Sequence, residues 1–187
     1  RSFYKLENDK KVLLVVGGSL GARTLNNSLL ESLELLKISN VEVIWQTGKY
    51  YYQSVLDKTK HMDLPNVHIH EFLSRMDLAY AIADLVISRA GAGTISELCL
   101  MGKATILVPS PNVAEDHQTK NAMALVNQKA AIMITDAESV STLLPTALEL
   151  IDETERLERL ERNILKLAKP NAAADIANMV IELAHKK

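Results

Sequence analysis

The chain alternates short, uninterrupted apolar runs with longer segments of helical periodicity, and this alternation limits the folds it can adopt. The first run, Lys11 to Val16, reads KVLLVV and stops at two glycines, as expected of a strand buried on both faces of a parallel sheet. Further runs follow at 41–46, 67–70, 85–88, 104–108 and 131–134, and helical patterns separate them at 24–36, 50–60, 76–83, 94–101 and 117–127. We therefore predict an α/β fold: a Rossmann-like open parallel sheet of about six strands with helices on both faces.

The last third of the chain carries helical patterns without intervening strands, at 139–151, 153–168 and 172–184. The second of these has an apolar stripe, and its acidic and basic residues balance around the other faces, which is typical of a solvated helix packed on a sheet. We expect one domain over residues 1–187, with residues 139–187 forming a helical segment packed on it.

Composition narrows the classes of partner. Lysine and arginine number 21 against 23 acidic residues, a net charge of −2, so the chain lacks the basic excess of a nucleic-acid-binding protein. No run approaches the roughly 18 apolar residues of a membrane span. The single cysteine, Cys99, excludes an intramolecular disulfide and fits a reducing compartment.

The first candidate binding loop, Gly17 to Ala22, reads GGSLGA and follows the first strand. Glycines let the backbone approach a ligand, the next helix offers free N–H groups to an anion, and Ser19 adds a hydroxyl. The spacing matches neither a dinucleotide fingerprint nor a P-loop, and the end of the second strand, where an NAD site requires an acidic residue, reads WQT at 45–47. The alternative is a tight turn that uses glycine for steric reasons alone.

The second loop, SRAGAGTISE at 88–97, follows the fourth strand. Residues 90–93 have almost no side chain and leave room for a bulky ligand, and the Glu97 carboxylate suits the two hydroxyl groups of a ribose. Thr94 and Glu97 also have the spacing of a capping box, in which both would serve only to start the helix.

The third loop, at 109–122, follows the fifth strand and contains Asp116, a candidate helix cap. Gln118 and Asn121 lie three residues apart on one helix face, and their amides both donate and accept, as sugar hydroxyls require. The alternative is an ordinary polar helix start. Because ligands of open α/β sheets bind at the carboxyl ends of the strands, the three loops predict one common site.

A metal site has little support in the sequence. No Asp-x-Asp pair is present to hold a metal ion on a diphosphate, and His68 and His70, without a third ligand nearby, are more typical of core or surface positions. We therefore expect no metal and no cofactor.

Four motifs, GGSLGARTLN at 17–26, WQTG at 45–48, SRAGAGTISE at 88–97 and HQTKNA at 117–122, together resemble the C-terminal half of the MurG family. These enzymes are the N-acetylglucosaminyltransferases of peptidoglycan synthesis, and the resemblance covers nearly the whole chain from Val12. It implies the C-terminal half of a GT-B fold, in which two Rossmann-like domains face each other across a cleft. By this resemblance, this half would bind the donor, UDP-N-acetylglucosamine, and the N-terminal acceptor domain would lie outside this chain.

The resemblance also implies roles for individual residues. Ser19 and the N–H groups after Gly18 would hold the diphosphate, the backbone of Leu73 would contact the uracil, and Glu97 would bind the ribose hydroxyls. The residues that would pack around the nucleotide and its phosphates are Gly91, Ala92, Gly93 and Thr94. Gln118 and Asn121 would bind the sugar hydroxyls, and His117 or Thr119 could share this contact. Arg1 is not assigned to the uracil-side arginine of the family, and no catalytic residue is expected on this chain, because the base belongs to the absent domain.

The implied reaction is an inverting, metal-independent transfer of N-acetylglucosamine to lipid I, which yields lipid II. The full-length protein would act at the cytoplasmic face of the bacterial plasma membrane as a peripheral protein, and the isolated chain would bind donor without turnover. Three alternatives stay open: another GT-B enzyme that uses a UDP-sugar, such as a lipid glycosyltransferase or a UDP-N-acetylglucosamine epimerase; a donor-binding subunit of a split transferase; and a scaffold that binds no nucleotide.

Overall fold

The computed structural model describes residues 1–7 and 9–185, and within them strands and helices alternate along most of the chain. The strands are β1 (Lys11–Val16), β2 (Val41–Gln46), β3 (Val67–His70), β4 (Leu85–Ser88), β5 (Thr105–Leu107) and β6 (Ile132–Met133). The helices are α1 (Arg23–Glu31), α2 (Leu33–Ile38), α3 (Tyr52–Thr59), α4 (Met76–Ile82), α5 (Ala92–Met101), α6 (His117–Val126), α7 (Ser139–Asp152), α8 (Thr154–Leu165) and α9 (Ala172–His185). Short 3₁₀ turns occupy Ser2–Tyr4 and Ala114–Asp116.

The six strands form one parallel sheet in the order β3-β2-β1-β4-β5-β6. The order reverses between β1 and β4, so the loops that follow these two neighbouring strands diverge to opposite faces and leave a crevice at the carboxyl edge. The predicted fold class is confirmed, and the loops after β1 and β4, which carry two of the candidate motifs, border this reversal.

Apolar side chains cover both faces of the sheet, which explains the uninterrupted apolar runs of the central strands. One cluster joins the sheet to α1, α2, α3 and α7 and includes the fully buried Trp45. The other joins the opposite face to α4, α5 and α6 and includes Leu98. Burying each large side chain contributes about 1.5–3 kcal/mol, so the core firmly fixes the scaffold that carries the loops.

The single helix predicted over 24–36 is wrong, because the chain breaks it at Ser32 into α1 and α2. Ser32 leaves the helical region, with φ −114° and ψ 19°, and its N–H donates to the carbonyl of Leu29. The break places both Leu33 and Leu36 in the core. Periodicity alone does not report such a change of axis.

The three C-terminal helices differ in how they pack. Helix α7 lies against α1, and α8 lies against α5 and α7 with Leu157, Leu160 and Ile164 buried. Helix α9, which follows the non-helical segment 166–171, has no buried residue, and Ile176 on it is 62% exposed. Helices α7 and α8 thus bury part of their residues, whereas the residues of α9 are exposed. None of the described helices combines the length and apolar character needed to cross a membrane.

Candidate functional site

A polar cavity of about 590 Å³ opens at the carboxyl edge of the sheet, where the chain leaves β1, β4, β5 and β6. Its walls come from segments far apart in sequence, and they are Gly17, Gly21, Ala22, Arg23, Thr24, Tyr51, Arg89, Ser110, Asn112, Gln118 and Asp136. The structure therefore brings the first and third predicted loops together around one space, with Arg89 of the second loop between them.

The glycine loop uses its glycines in two ways. Gly21 has φ +90°, and a Cβ built there would lie 2.2 Å from the carbonyl oxygen of Thr47, so no side chain fits. A Cβ on Gly48 would similarly lie 2.1 Å from the backbone nitrogen of Gly21. Gly18 has φ +83° but faces open space, with nothing within 4 Å of a built Cβ. The steric interpretation thus explains Gly21, whereas Gly18 leaves room for a ligand near the backbone.

The N-terminus of α1 opens into the cavity. The first N–H groups of a helix have no intrahelical partner, and the N-cap residue here, Ala22, provides no side-chain cap for them. Together with the partial positive charge of the helix end, these groups form a site suited to an anion. Ser19, just before this turn, is exposed, and its hydroxyl has no partner among the described residues.

Glu97 does not serve in a capping box, and that interpretation of the sequence is wrong. Helix α5 begins at Ala92 with Gly91 as N-cap, two residues earlier than predicted, which places Thr94 inside the first turn. Glu97 instead accepts a hydrogen bond of 3.1 Å from the Tyr80 hydroxyl. Burial and the nearby Glu97 carboxylate raise the pKa of Tyr80, so the phenol keeps the proton that it donates. Glu97 is exposed and is oriented by this bond.

The small residues ahead of Glu97 stand at the surface in the first turn of α5. Ala92 and Gly93 are exposed, and Gly91 and Thr94 are half-buried. A Cβ on Gly93 would meet nothing within 4 Å. This turn therefore has the open space that its small side chains predict, and its free N–H groups add a second helix N-terminus to the same edge of the sheet.

Gln118 and Asn121 are engaged by the loops that surround them. The Oε1 atom of Gln118 accepts from the backbone N–H groups of Ala90 at 3.2 Å and Ser110 at 2.9 Å. The Nδ2 atom of Asn121 donates to the carbonyl of Ala90 at 3.1 Å. The two amides thus tie the second and third loops together, and the Nε2 atom of Gln118 has no partner among the described residues.

The residues beside Gln118 have different surroundings. Asp116 is the N-cap of α6, but its left-handed backbone, with φ +50°, gives no side-chain cap, so the predicted capping role is wrong. His117 is exposed, and its Nδ1 lies 2.9 Å from the carbonyl of Ala114. Thr119 lines a neighbouring, mostly apolar cavity of about 320 Å³ together with Pro109 and Met133. Neither His117 nor Thr119 is a wall of the polar cavity that Gln118 lines.

Leu73 lies on the loop between β3 and α4, and its side chain is 2% exposed. Its N–H donates to Oε1 of Gln46 at 3.0 Å, and its carbonyl accepts no backbone hydrogen bond among the described residues. Gln46, the last residue of β2, therefore anchors this loop to the sheet. The signal in the sequence is a polar residue at the last position of a buried strand.

An ion pair between Arg89 and Asp136 is the main feature of the site that sequence reasoning missed. Nη1 of Arg89 contacts Oδ1 of Asp136 and also donates to the carbonyls of Val108 at 3.1 Å and Pro109 at 3.2 Å. The other carboxylate oxygen, Oδ2, accepts from the Thr24 hydroxyl at 2.9 Å. In the sequence, Arg89 stands out as a charged residue directly after a buried strand. That its partner is Asp136 could not be predicted from the sequence.

The histidines of β3 take part in packing. His68 Nε2 lies 2.6 Å from Oε2 of the buried Glu42. The ring of His70 packs edge-on against Tyr4, with 5.6 Å between ring centroids, and its buried Nε2 has no partner among the described residues. Burial and the neighbouring His68 lower the pKa of His70. Across residues 1–7 and 9–185 no group of three potential metal-ligating side chains occurs.

Comparison with known proteins matches residues 12–179 to the model of the glycosyltransferase family 28 C-terminal domain. Two relatives, from Bacteroides fragilis and Parabacteroides distasonis, are both named UDP-N-acetylglucosamine--N-acetylmuramyl-(pentapeptide) pyrophosphoryl-undecaprenol N-acetylglucosamine transferase. The first is 56% identical over 186 residues, which are 98% of this chain and 49% of the relative. The second is 53% identical over 190 residues, which cover 100% of this chain and 50% of the relative. The chain thus spans about half the length of these proteins.

Among solved structures, MurG of Acinetobacter baumannii superposes with a TM-score of 0.79 at 29% identity, over 97% of this chain and 52% of that one. The fold found here therefore matches about half of that chain, and the resemblance inferred from the four sequence motifs is confirmed. The chain belongs to the glycosyltransferase family 28 C-terminal domain family and corresponds to the C-terminal half of MurG.

Proposed function

We propose that the chain is the donor-binding domain of an inverting glycosyltransferase that moves N-acetylglucosamine from UDP-N-acetylglucosamine to lipid I and forms lipid II. The supporting observation is that the uncapped N-terminus of α1 and the free amide nitrogen of Gln118 border one polar cavity of about 590 Å³. An anion and a sugar hydroxyl could thus be bound at the same time. The names of the relatives supply the identity of donor and acceptor.

The diphosphate would occupy the N-terminus of α1. The N–H groups after Gly18 and the exposed hydroxyl of Ser19 would donate to its oxygens, and the first turn of α5, from Gly91 to Thr94, would pack around the nucleotide. Oriented backbone dipoles stabilise the negative charge that grows on the leaving diphosphate when the bond to the sugar breaks. The proposal therefore needs no metal ion and no cofactor.

The nucleoside would bind on the side of β3 and α4. Tyr80 donates to one oxygen of Glu97, and the exposed carboxylate has the remaining lone pairs for both ribose hydroxyls. The Leu73 carbonyl is free to accept from the uracil, whereas its N–H would have to leave Gln46 before it could donate to the base. Sugar hydroxyls would be read by Gln118 through Nε2, with Asn121 holding the loop beside it.

The reaction itself requires groups that we assign to the other half of the protein. The C4 hydroxyl of the lipid-linked acceptor attacks the anomeric carbon, its proton passes to a base, and UDP leaves with the bonding electron pair. We place that base, the acceptor site and the attachment to the cytoplasmic face of the plasma membrane outside this chain. The chain by itself is then a donor-binding protein with negligible turnover.

Calorimetric titration of the 187-residue chain with UDP-N-acetylglucosamine, UDP-glucose and UDP tests the proposal. We expect all three to bind and the first to bind most tightly. Absence of UDP binding overturns the nucleotide site and supports a scaffold, and equal affinity for the two UDP-sugars overturns the donor assignment. Substantial transfer of labelled N-acetylglucosamine to lipid I by this chain alone contradicts the location of the base.

A further inference from the structure

The ion pair of Arg89 and Asp136 joins segments that leave four strands of the sheet. Asp136 follows β6, Arg89 follows β4, Thr24 lies in the first turn after β1, and the carbonyls of Val108 and Pro109 follow β5. Both charged side chains are mostly buried, with exposures of 17% for Arg89 and 22% for Asp136. The proposed function uses neither of them.

The pair lies next to the two backbone groups that hold Gln118. Arg89 directly precedes Ala90, whose N–H donates to Gln118 Oε1. Its guanidinium also fixes the carbonyl of Pro109, and the next residue, Ser110, gives the second N–H to the same Gln118 oxygen. The position of Arg89 therefore sets both donors that orient the Gln118 amide, and Asp136 sets the position of Arg89.

The N-terminus of α1 depends much less on Asp136. Leu25 and Leu29 anchor that helix in the core, and α1 packs along α7. The hydrogen bond from Thr24 to Asp136 is a single additional contact of α1, which is already held by its packing in the core. Loss of the Asp136 carboxylate should thus disturb the loops around Gln118 and leave the anion-binding helix end in place.

We propose that Asp136 is a positioning residue that acts through Arg89 to hold Gln118 in the orientation that selects the donor sugar. This inference rests on the proposed function, because it takes Gln118 as the reader of the sugar. Asp136 also separates the polar cavity from the apolar one beside it, since it lines both. A carboxylate with two fixed partners is well placed to keep that boundary rigid.

Calorimetry on Asp136→Asn and Asp136→Ala tests the inference. We expect the affinity for UDP-N-acetylglucosamine to fall about tenfold, the effect of losing a hydrogen bond to a charged group, while the affinity for UDP changes by less than about twofold. Arg89→Lys should give the same selective loss, because Nη1 makes all three contacts and the lysine ammonium, which lies one bond closer to Cα, does not reach its position. An equal loss for both ligands indicates a merely structural role and overturns the proposal, as does the absence of any loss.

Two controls separate the possible failures. Glu158→Gln breaks an exposed ion pair with Arg162 on α8, away from the site, and should change neither affinity. The unsubstituted chain is measured first: if it shows no preference for UDP-N-acetylglucosamine over UDP, the proposed function fails. If it shows the preference and the folded Asp136→Asn or Arg89→Lys variant keeps it, only the role of Asp136 is refuted.

Discussion

The carboxyl edge contains two kinds of polar position that look alike in the sequence. Ser19 and Glu97 are exposed, and we call them presented side chains. Gln118, Asn121 and Arg89 bond to the backbone of neighbouring loops, and we call them tied side chains. Some polar residues of this candidate site thus offer atoms to a ligand, while others hold the loops in place. Substitutions of the two kinds should have different consequences for stability and for binding.

The largest effect is expected in the glycine loop, where Gly21 is closely surrounded by other backbone atoms and Gly18 faces open space. Gly21→Ala places a Cβ 2.2 Å from the Thr47 carbonyl oxygen at a positive φ and should lower the free energy of unfolding by about 3 kcal/mol or more. Gly18→Ala is the matched control, since its φ is also positive but its surroundings are open, and about 1 kcal/mol is expected. Denaturant titration measures both, and equal losses contradict the distinction.

Gln118 tests whether the tied and the ligand-reading functions of one side chain separate. Gln118→Ala leaves the N–H groups of Ala90 and Ser110 without an acceptor and should cost about 2 kcal/mol of stability as well as the preference for UDP-N-acetylglucosamine. Gln118→Glu keeps an acceptor for both N–H groups but removes the Nε2 donor. It should retain stability and lose the sugar preference, as judged by thermal unfolding and calorimetry. If Gln118→Glu is destabilised, the result argues against the two hydrogen bonds that Oε1 accepts from Ala90 and Ser110.

Glu97 should behave as a presented side chain. Glu97→Gln is expected to weaken UDP binding about tenfold, because the amide replaces a charged acceptor of the ribose hydroxyls, while the free energy of unfolding changes by less than about 0.5 kcal/mol. Tyr80→Phe removes only the orienting bond and should weaken UDP binding less. If Glu97→Gln lowers stability and leaves UDP affinity intact, Glu97 is structural.

The smallest effect concerns His70, a polar residue that is neither presented nor tied at Nε2. Its pKa in the folded chain lies below the ordinary value of 6.5, so the unfolded chain takes up the proton first as the pH falls. The stability that neutral His70 provides is complete above about pH 6.5 and decreases below it. Between pH 7.5 and 5.5 the midpoint temperature of thermal unfolding should decrease. The decrease should be smaller in His70→Gln, and in His61→Gln, the control at an exposed site, it should equal that of the unsubstituted chain.

The fold and the place of the site could be predicted because they follow from local patterns. Uninterrupted apolar runs such as Lys11 to Val16 identify strands buried on both faces, and the loops after such strands must meet at one edge. Prediction failed where one local pattern had two uses. Thr94 and Glu97 have capping-box spacing, but the small residues from Gly91 onwards let α5 start earlier, which left Glu97 free to meet Tyr80.

Local patterns in the sequence are enough to predict the alternation of strands and helices, the parallel sheet, and which loops carry small or amide side chains. What those side chains do depends on contacts that form only in the folded chain. Arg89 meets Asp136 across 47 positions, and Gln118 meets Ala90 across 28, because right-handed crossovers bring distant strand exits to one edge. Hydropathy periods report which face of an element is buried, and they hold no information on which polar groups of separate loops then come within bonding distance.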